Sequence, residues 1–395
     1  MRHSVPRTMR HLLLPALALA AAASLAPATA GARSPAPGCY PRGSETFGAT
    51  ARVRVYGRTN ARSGATAVYV CDLLSGRRTR TGLSSGRGEA VAAHDVTFAG
   101  RVAAFLQQTC TGDDCSDAYL AVDAATGART DAGDPAPLNW VVFPSRLLVW
   151  VQRDNEQEVG VVAGSDGNEL DRGAGVDPQS LATSRDGRAY WLNEGEPRSA
   201  QVAGPANDPA VANPRGNRRC YPRGARTAAA SARVRVYRTV TPSNSSDIYT
   251  YTACDLRGGR RVVLARTVPP RGPEAVRIVG YRVAMASGFC GLHLCAYGGV
   301  VRADVRSGRL RTLQEASNRH EVTDLLLTPS GSVAWIQRLL NEGGTTTGRT
   351  AAACDGDECR ELESDEAIAE RSLGHSHGGS LYWTVGDSAR ATPLP

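Results

Sequence analysis

Short apolar strands with a period of two recur along the chain, most entered from a basic residue. The series runs Arg52-Val-Arg-Val-Tyr56, Arg101-Val-Ala-Ala-Phe105, Arg146-Leu-Leu-Val-Trp150 and Arg188-Ala-Tyr-Trp191. It continues with Arg233-Val-Arg-Val-Tyr237, Arg282-Val-Ala-Met285, Ser332-Val-Ala-Trp335 and Ser380-Leu-Tyr-Trp383, with starts 42 to 50 residues apart. Compact runs rich in β-branched and aromatic residues predict strands rather than helices. A second strand follows, as in Ala67-Val-Tyr-Val70, Tyr119-Leu-Ala-Val122, Val159-Gly-Val-Val162 and Ile248-Tyr-Thr-Tyr251. A turn then closes the unit: Asp72 with Gly76, Asp123 with Gly127, Asp255 with Gly259, Asp304 with Gly308. The glycine supplies a left-handed conformation and the aspartate accepts backbone hydrogen bonds within the turn. Asp166-Gly167 and Asp355-Gly356 mark similar turns, so these aspartates read as turn residues before metal ligands.

A longer repeat lies over this period. Cys39-Tyr-Pro-Arg-Gly, Ala51-Arg-Val-Arg-Val-Tyr56 and Cys71-Asp72 return as Cys220-Tyr-Pro-Arg-Gly, Ala232-Arg-Val-Arg-Val-Tyr237 and Cys254-Asp255. One small meander of strands exposes two apolar faces, and a ring of neighbours covers them. Repeats of 40–50 residues built this way predict an all-β β-propeller. The count gives eight blades in two duplicated four-blade halves, with seven as the alternative. The halves span 39–203 and 220–395 and are joined by the loop 204–219, within a single domain 33–395. The last blade is short, which suggests that the segment around Cys39 completes it and closes the ring. On that reading Cys39–Cys71 ties the closing strand to the first blade, and Cys220–Cys254 ties the halves together.

Residues 1–32 read as a secretory signal: Arg2, Arg7 and Arg10 precede an apolar run from Leu12 to Leu25, then small residues suited to cleavage. That run is short for a membrane span. The ten cysteines fit export to an oxidising compartment. Cys110 with Cys115, Cys290 with Cys295 and Cys354 with Cys359 bracket four residues each, leaving Cys39 with Cys71 and Cys220 with Cys254. Five structural disulfides are expected, and a lipid anchor on Cys39 is disfavoured because Cys220 holds the equivalent place deep in the chain.

The net charge of +8 changes little. Every basic residue is arginine, as expected of a GC-rich bacterium, and the leader carries three of them with no acid, leaving +5. The arginines are interleaved with acids, so nucleic acid is not an expected partner. No membrane insertion after signal removal is expected, and a monomer is.

Thr328-Pro-Ser-Gly-Ser-Val-Ala-Trp335, Ser184-Arg-Asp-Gly-Arg-Ala-Tyr-Trp191 and the Asp-x3-Gly turns resemble those of TolB-like and WD40-like propellers, and more closely of secreted actinobacterial propellers of unknown function. The resemblance covers most of 39–395. It implies the fold and leaves function open.

Residues that recur build the scaffold, and those that do not are candidates for function. Trp150 matches Trp335, Trp191 matches Trp383 and Tyr56 matches Tyr237, which assigns them to packing. His375-Ser-His377 replaces Thr183-Ser-Arg185, and two imidazoles two residues apart on an extended segment face one way. They are weak metal-ligand candidates with no third ligand nearby. Asp113-Asp114 and Asp355, Asp357 and Glu358 form acidic tips inside Cys-x4-Cys pairs. No catalytic motif or cofactor motif is present. The expected function is binding or scaffolding on a protein or cell-envelope ligand, outside the cell or in its envelope. The alternative is a propeller hydrolase or lyase, favoured if unrepeated histidines (His293, His320, His375, His377) meet carboxylates at the axis.

Overall fold

The computed structural model describes residues 37–394 apart from 84–88, 133–136, 154–157, 165–166, 207–215, 243–246, 268–274 and 291–294. The leader, His293, Asp166 and the middle of the loop 204–219 lie outside the described residues. Eight antiparallel sheets follow in chain order. Blades 1 (44–83), 2 (89–131), 3 (139–173), 5 (226–267), 6 (275–314) and 7 (320–364) have four strands. Blades 4 (182–201) and 8 (374–393) have three. Each strand of the repeating apolar series is the second strand of its blade, except that Arg52, Arg101, Arg146, Leu147, Arg233 and Ser332 precede the strand itself. All-β character and eight blades are as the repeat predicts.

The Asp-x3-Gly turns form as read. Asp72 accepts from Leu74 N and Ser75 Oγ at 3.1 and 2.7 Å, and Gly76 takes φ +77°. Asp123 accepts from Ala125 N at 2.9 Å ahead of Gly127 at φ +75°. Arg52 and Arg101, which begin their repeats, reach back to these carboxylates at 3.0 and 2.8 Å.

Disulfides join Cys39 to Cys71, Cys110 to Cys115, Cys220 to Cys254 and Cys354 to Cys359. Cys290 and Cys295 face each other in backbone register, and their side chains lie outside the described residues. Two details differ from expectation. The segment around Cys39 is a 3-10 turn, Pro37–Cys39, packed on blade 1, and blade 8 keeps three strands. Ser44–Ala49 is the first strand of blade 1, so among the described residues this segment adds no closing strand to blade 8. Cys220–Cys254 likewise stays within the blade-5 region and does not tie the halves.

Two arginines inside the repeated strands are buried, although strand alternation gave no hint of it. Arg54 and Arg235 are 4% and 1% exposed. Each donates to the carbonyl of its disulfide cysteine, Cys39 or Cys220, and to Thr46 or Thr227 Oγ1 at 2.9 or 2.7 Å. Each guanidinium also lies against two tyrosine rings, Tyr40 and Tyr56 or Tyr221 and Tyr237. Rigid planar donors and ring faces together satisfy a buried cation.

The halves meet through their own equivalents. Thr50 of blade 1 bridges Ser231 of blade 5, and these residues correspond in the repeat. Blade 4 meets blade 8: Tyr190 stacks on Tyr382 with centroids 5.4 Å apart. Asp186 N donates to Arg371 O, and the equivalent Gly378 N donates to Gln179 O, at 3.1 and 2.9 Å. Reciprocal contacts of this kind are isologous, the signature of a two-fold relation. The sheets therefore neighbour one another in the order 1-2-3-4-8-7-6-5. First strands of successive blades lie side by side and face the centre.

Candidate functional site

The local two-fold sets two central clusters in correspondence. In one, Asp324 begins the inward-facing part of the first strand of blade 7 and is 1% exposed. Arg185 of blade 4 and Arg277 of blade 6 approach its carboxylate at 3.4 and 3.9 Å. Backbone N–H groups of Leu325 and Leu373 donate to it at 3.0 and 3.1 Å. Burial pushes the Asp324 carboxyl up, and Arg277 and Arg185 pull it down. Arg277 Nε also donates to Leu325 O at 2.8 Å. Charge, hydrogen bonds and backbone fill this position.

The other cluster replaces every member. Asn139 takes the place of Asp324 in strand register, His377 that of Arg185, and Thr97 that of Arg277. Asn139 Oδ1 still accepts from the next backbone N–H, that of Trp140, at 2.8 Å, and its Nδ2 donates to Pro178 O at 2.8 Å. Among the described residues no ion pair crosses the gap, and a cavity of about 620 Å3 opens where the salt bridge would lie. Asp95, Thr97, Asn139, Trp140, Gln179, His375 and His377 are among the residues that line it. A cavity of about 700 Å3 on the other side reaches Leu326, Leu327 and the turn 375–379 without opening on Asp324, Arg185 or Arg277.

The His375–His377 pair is thus placed at the centre and lines both cavities, toward blades 2 and 3 on one side and toward blade 7 on the other. His375 Nε2 lies 2.8 Å from Leu394 O. A carbonyl only accepts, so Nε2 carries the proton and Nδ1 is the acceptor of the neutral ring. Burial lowers the His375 pKa, the Leu394 carbonyl opposes this, and His377 adds to it. Among the described residues no group of three histidine, cysteine or acidic side chains is arranged to hold a metal ion. His320 sits at the start of blade 7, away from the cavity, and its pKa is lowered by burial and then by Arg319.

His320 and His375 are expected to make the fold acid-sensitive. When a histidine pKa is lower in the fold than in the open chain, the open chain takes up the proton first as pH falls. Stability is then present above about pH 6.5 and declines as pH drops through the window down to the folded pKa. Urea midpoints at pH 7.5, 6.5 and 5.5 are expected to fall less steeply for His375→Gln than for the native chain. Equal slopes would remove His375 from the account.

Reading by subtraction placed the tryptophans correctly. Trp150, Trp191, Trp335 and Trp383 are buried between neighbouring blades. It missed Trp140, the fifth. Trp140 is half-buried, stands edge-on to Tyr119 with centroids 5.8 Å apart, and lines the cavity where the second half has the fully buried Leu325. A ring at a position that the repeat fills with leucine was the available signal. The acidic tips at Asp113-Asp114 and Asp355–Glu358 lie on hairpins remote from this cavity.

The sheets and their order define a β-propeller protein. No protein-family model and no curated protein matches the chain. Among solved structures, it is similar to an oligogalacturonate lyase in complex with manganese: 11% identity, 88% of this chain and 86% of that one, TM-score 0.30. It is also similar to the β-propeller domain of the Trilobed protease from Pyrococcus furiosus: 10% identity, 82% and 97% coverage, TM-score 0.27. An uncharacterized protein from Listeria monocytogenes is a third: 9% identity, 81% and 94% coverage, TM-score 0.29. These likenesses concern the fold alone.

Proposed function

We propose that this is a secreted, disulfide-stabilised propeller that takes a cell-envelope ligand or a protein segment into its central cavity and binds it without catalysis. The carrying observation is the asymmetry at the centre. One of two equivalent positions is plugged by Arg185, Asp324 and Arg277, while the other presents Thr97, Asn139 and His377 around open space. Trp140 offers an aromatic ring, Gln179 an amide, and Asn139 the amide hydrogen and lone pair left over from Pro178 O and Trp140 N. A flat apolar ring beside convergent amides suits a sugar ring or a peptide backbone. The disulfides fit an oxidising compartment, and among the described residues no helix is long and apolar enough to cross a membrane.

The test is to rebuild the plug. Asn139→Asp with His377→Arg reproduces the second-half pair in the first-half position. Calorimetric titration with soluble peptidoglycan fragments, and separately with unstructured peptides, is expected to show saturable binding by the native chain. The double variant and Trp140→Ala should each weaken it at least tenfold. Unchanged affinity in the rebuilt protein would refute the cavity as the binding site.

A second reading rests on His375. Its neutral ring with Nδ1 as acceptor, beside His377 and with Asp95 at the same cavity, provides groups for proton transfer in a hydrolase or lyase. Mass spectrometry of the same fragments after incubation separates the readings: cleavage lost in His375→Ala supports the enzyme.

A further inference from the structure

A third cavity, a cleft of about 600 Å3, lies between blades 6 and 7 at the turn ends of their strands. Four arginines line it: Arg282, Arg302, Arg309 and Arg311. By strand register their first-half equivalents are Val102, Ala121, Ala128 and Thr130, none of them basic. The duplication therefore does not explain these arginines. Arg302 and Arg311 are direct cross-strand partners, a like-charge pairing that costs stability unless an anion sits between them. Burial lowers the Arg302 pKa, and Arg311 and Arg282 add to the effect.

The anion now present is internal. Asp357, at the tip of the hairpin clamped by Cys354–Cys359, pairs with Arg311 and stands 3.7 Å from Arg302. Two further acids line the cleft, and Asp355 opposes the lowering of the Arg302 pKa. Asp304 accepts from Ser307 N at 2.9 Å, and Asp355 accepts from Ser332 Oγ at 2.8 Å. Asp357 is more than half exposed, so it marks the anion position from the solvent side without filling the cleft.

We propose that this cleft binds a phosphate group, free or esterified to a polyol, with Arg302 and Arg311 as its principal ligands, Arg309 at the rim, and Asp357 as a competing internal anion. Guanidinium forks match phosphate oxygens in pairs, which a single carboxylate satisfies in part.

Calorimetry at low ionic strength with inorganic phosphate and with glycerol 3-phosphate tests this, using sodium chloride as the control titrant. Saturable binding of at least one phosphate probe is expected. Arg302→Ala should weaken it at least tenfold, and Arg309→Ala, an exposed change that leaves the fold intact, several-fold. Asp357→Asn should tighten it about threefold or more, which a purely structural ion pair would not do. Tighter binding of the ester assigns the site to a phosphate carried on a polyol, and equal or tighter binding of inorganic phosphate assigns it to the free ion. Absence of saturable binding in both the native chain and Asp357→Asn overturns the proposal, as does an affinity indifferent to the arginine changes.

Discussion

Replacing Tyr190 by alanine is expected to cost about 3–5 kcal/mol of folding free energy, in the range for removing a buried aromatic ring. Tyr190 is fully buried where blade 4 meets blade 8, stacked on Tyr382. Its hydroxyl lies 3.1 Å from Ser372 O and 2.6 Å from Thr384 Oγ1. Burial pushes the phenol up to about 12, so it is neutral and donates throughout the physiological range. Truncation removes the ring contact and leaves the Thr384 hydroxyl without this partner. Tyr190→Phe keeps the ring and loses the hydroxyl, which costs about 1–2 kcal/mol. Urea denaturation followed by tryptophan fluorescence measures both. A cost below about 1 kcal/mol for the alanine variant would mean that the halves do not close through this stack.

The second large effect centres on Asp324. Asp324→Ala is expected to destabilise the protein by about 3–5 kcal/mol, because it leaves Arg185 and Arg277 facing a carboxylate that is no longer there. The intact cluster need not be strongly stabilising, since burial of the carboxylate opposes the attraction. The penalty belongs to the broken pair. The first half shows how the same position is built without charge: Asn139 opposite His377. Asp324→Asn combined with Arg185→His copies that solution and should recover a substantial part of the loss. A double-mutant cycle from chemical denaturation reads the coupling. Strict additivity of the two substitutions would show that Arg185 and Asp324 do not act as a pair.

Much of the scaffold was legible because its signals are local. Asp72 and Gly76 are four residues apart, and the turn they build needs nothing beyond those residues. Cys110 and Cys115 meet across one hairpin, so spacing alone implied the disulfide. The burial of Arg54 and Arg235 was not legible, since alternation along a strand does not reveal a carbonyl and two tyrosine rings waiting on one face. The candidate site was half legible. His375 and His377 were singled out because they break the repeat. Thr97, Asn139 and Trp140 break it too, but a mismatch in a short strand looks like ordinary drift until its partner across the centre is known. The departure matters only because Arg185, Asp324 and Arg277 converge in the other copy.

By itself the sequence determined the all-β class, the repeat of eight units, the turn chemistry and the four disulfide pairs seen, because each depends on residues close together or on a period that alternation enforces. It did not determine how the duplicated halves close. Two copies with the same pair of end blades are compatible with head-to-tail closure, blade 4 on blade 5, and equally with blade 4 on blade 8 and blade 1 on blade 5. Side-chain complementarity between identical ends decides between them. Tyr190 stacks on its own equivalent, Tyr382, and Thr50 pairs with Ser231. That closure places Arg185 beside Asp324 and His377 on the Asn139 side, so the tertiary contact brought residues that differ between the copies to equivalent places, one a salt bridge and the other a cavity.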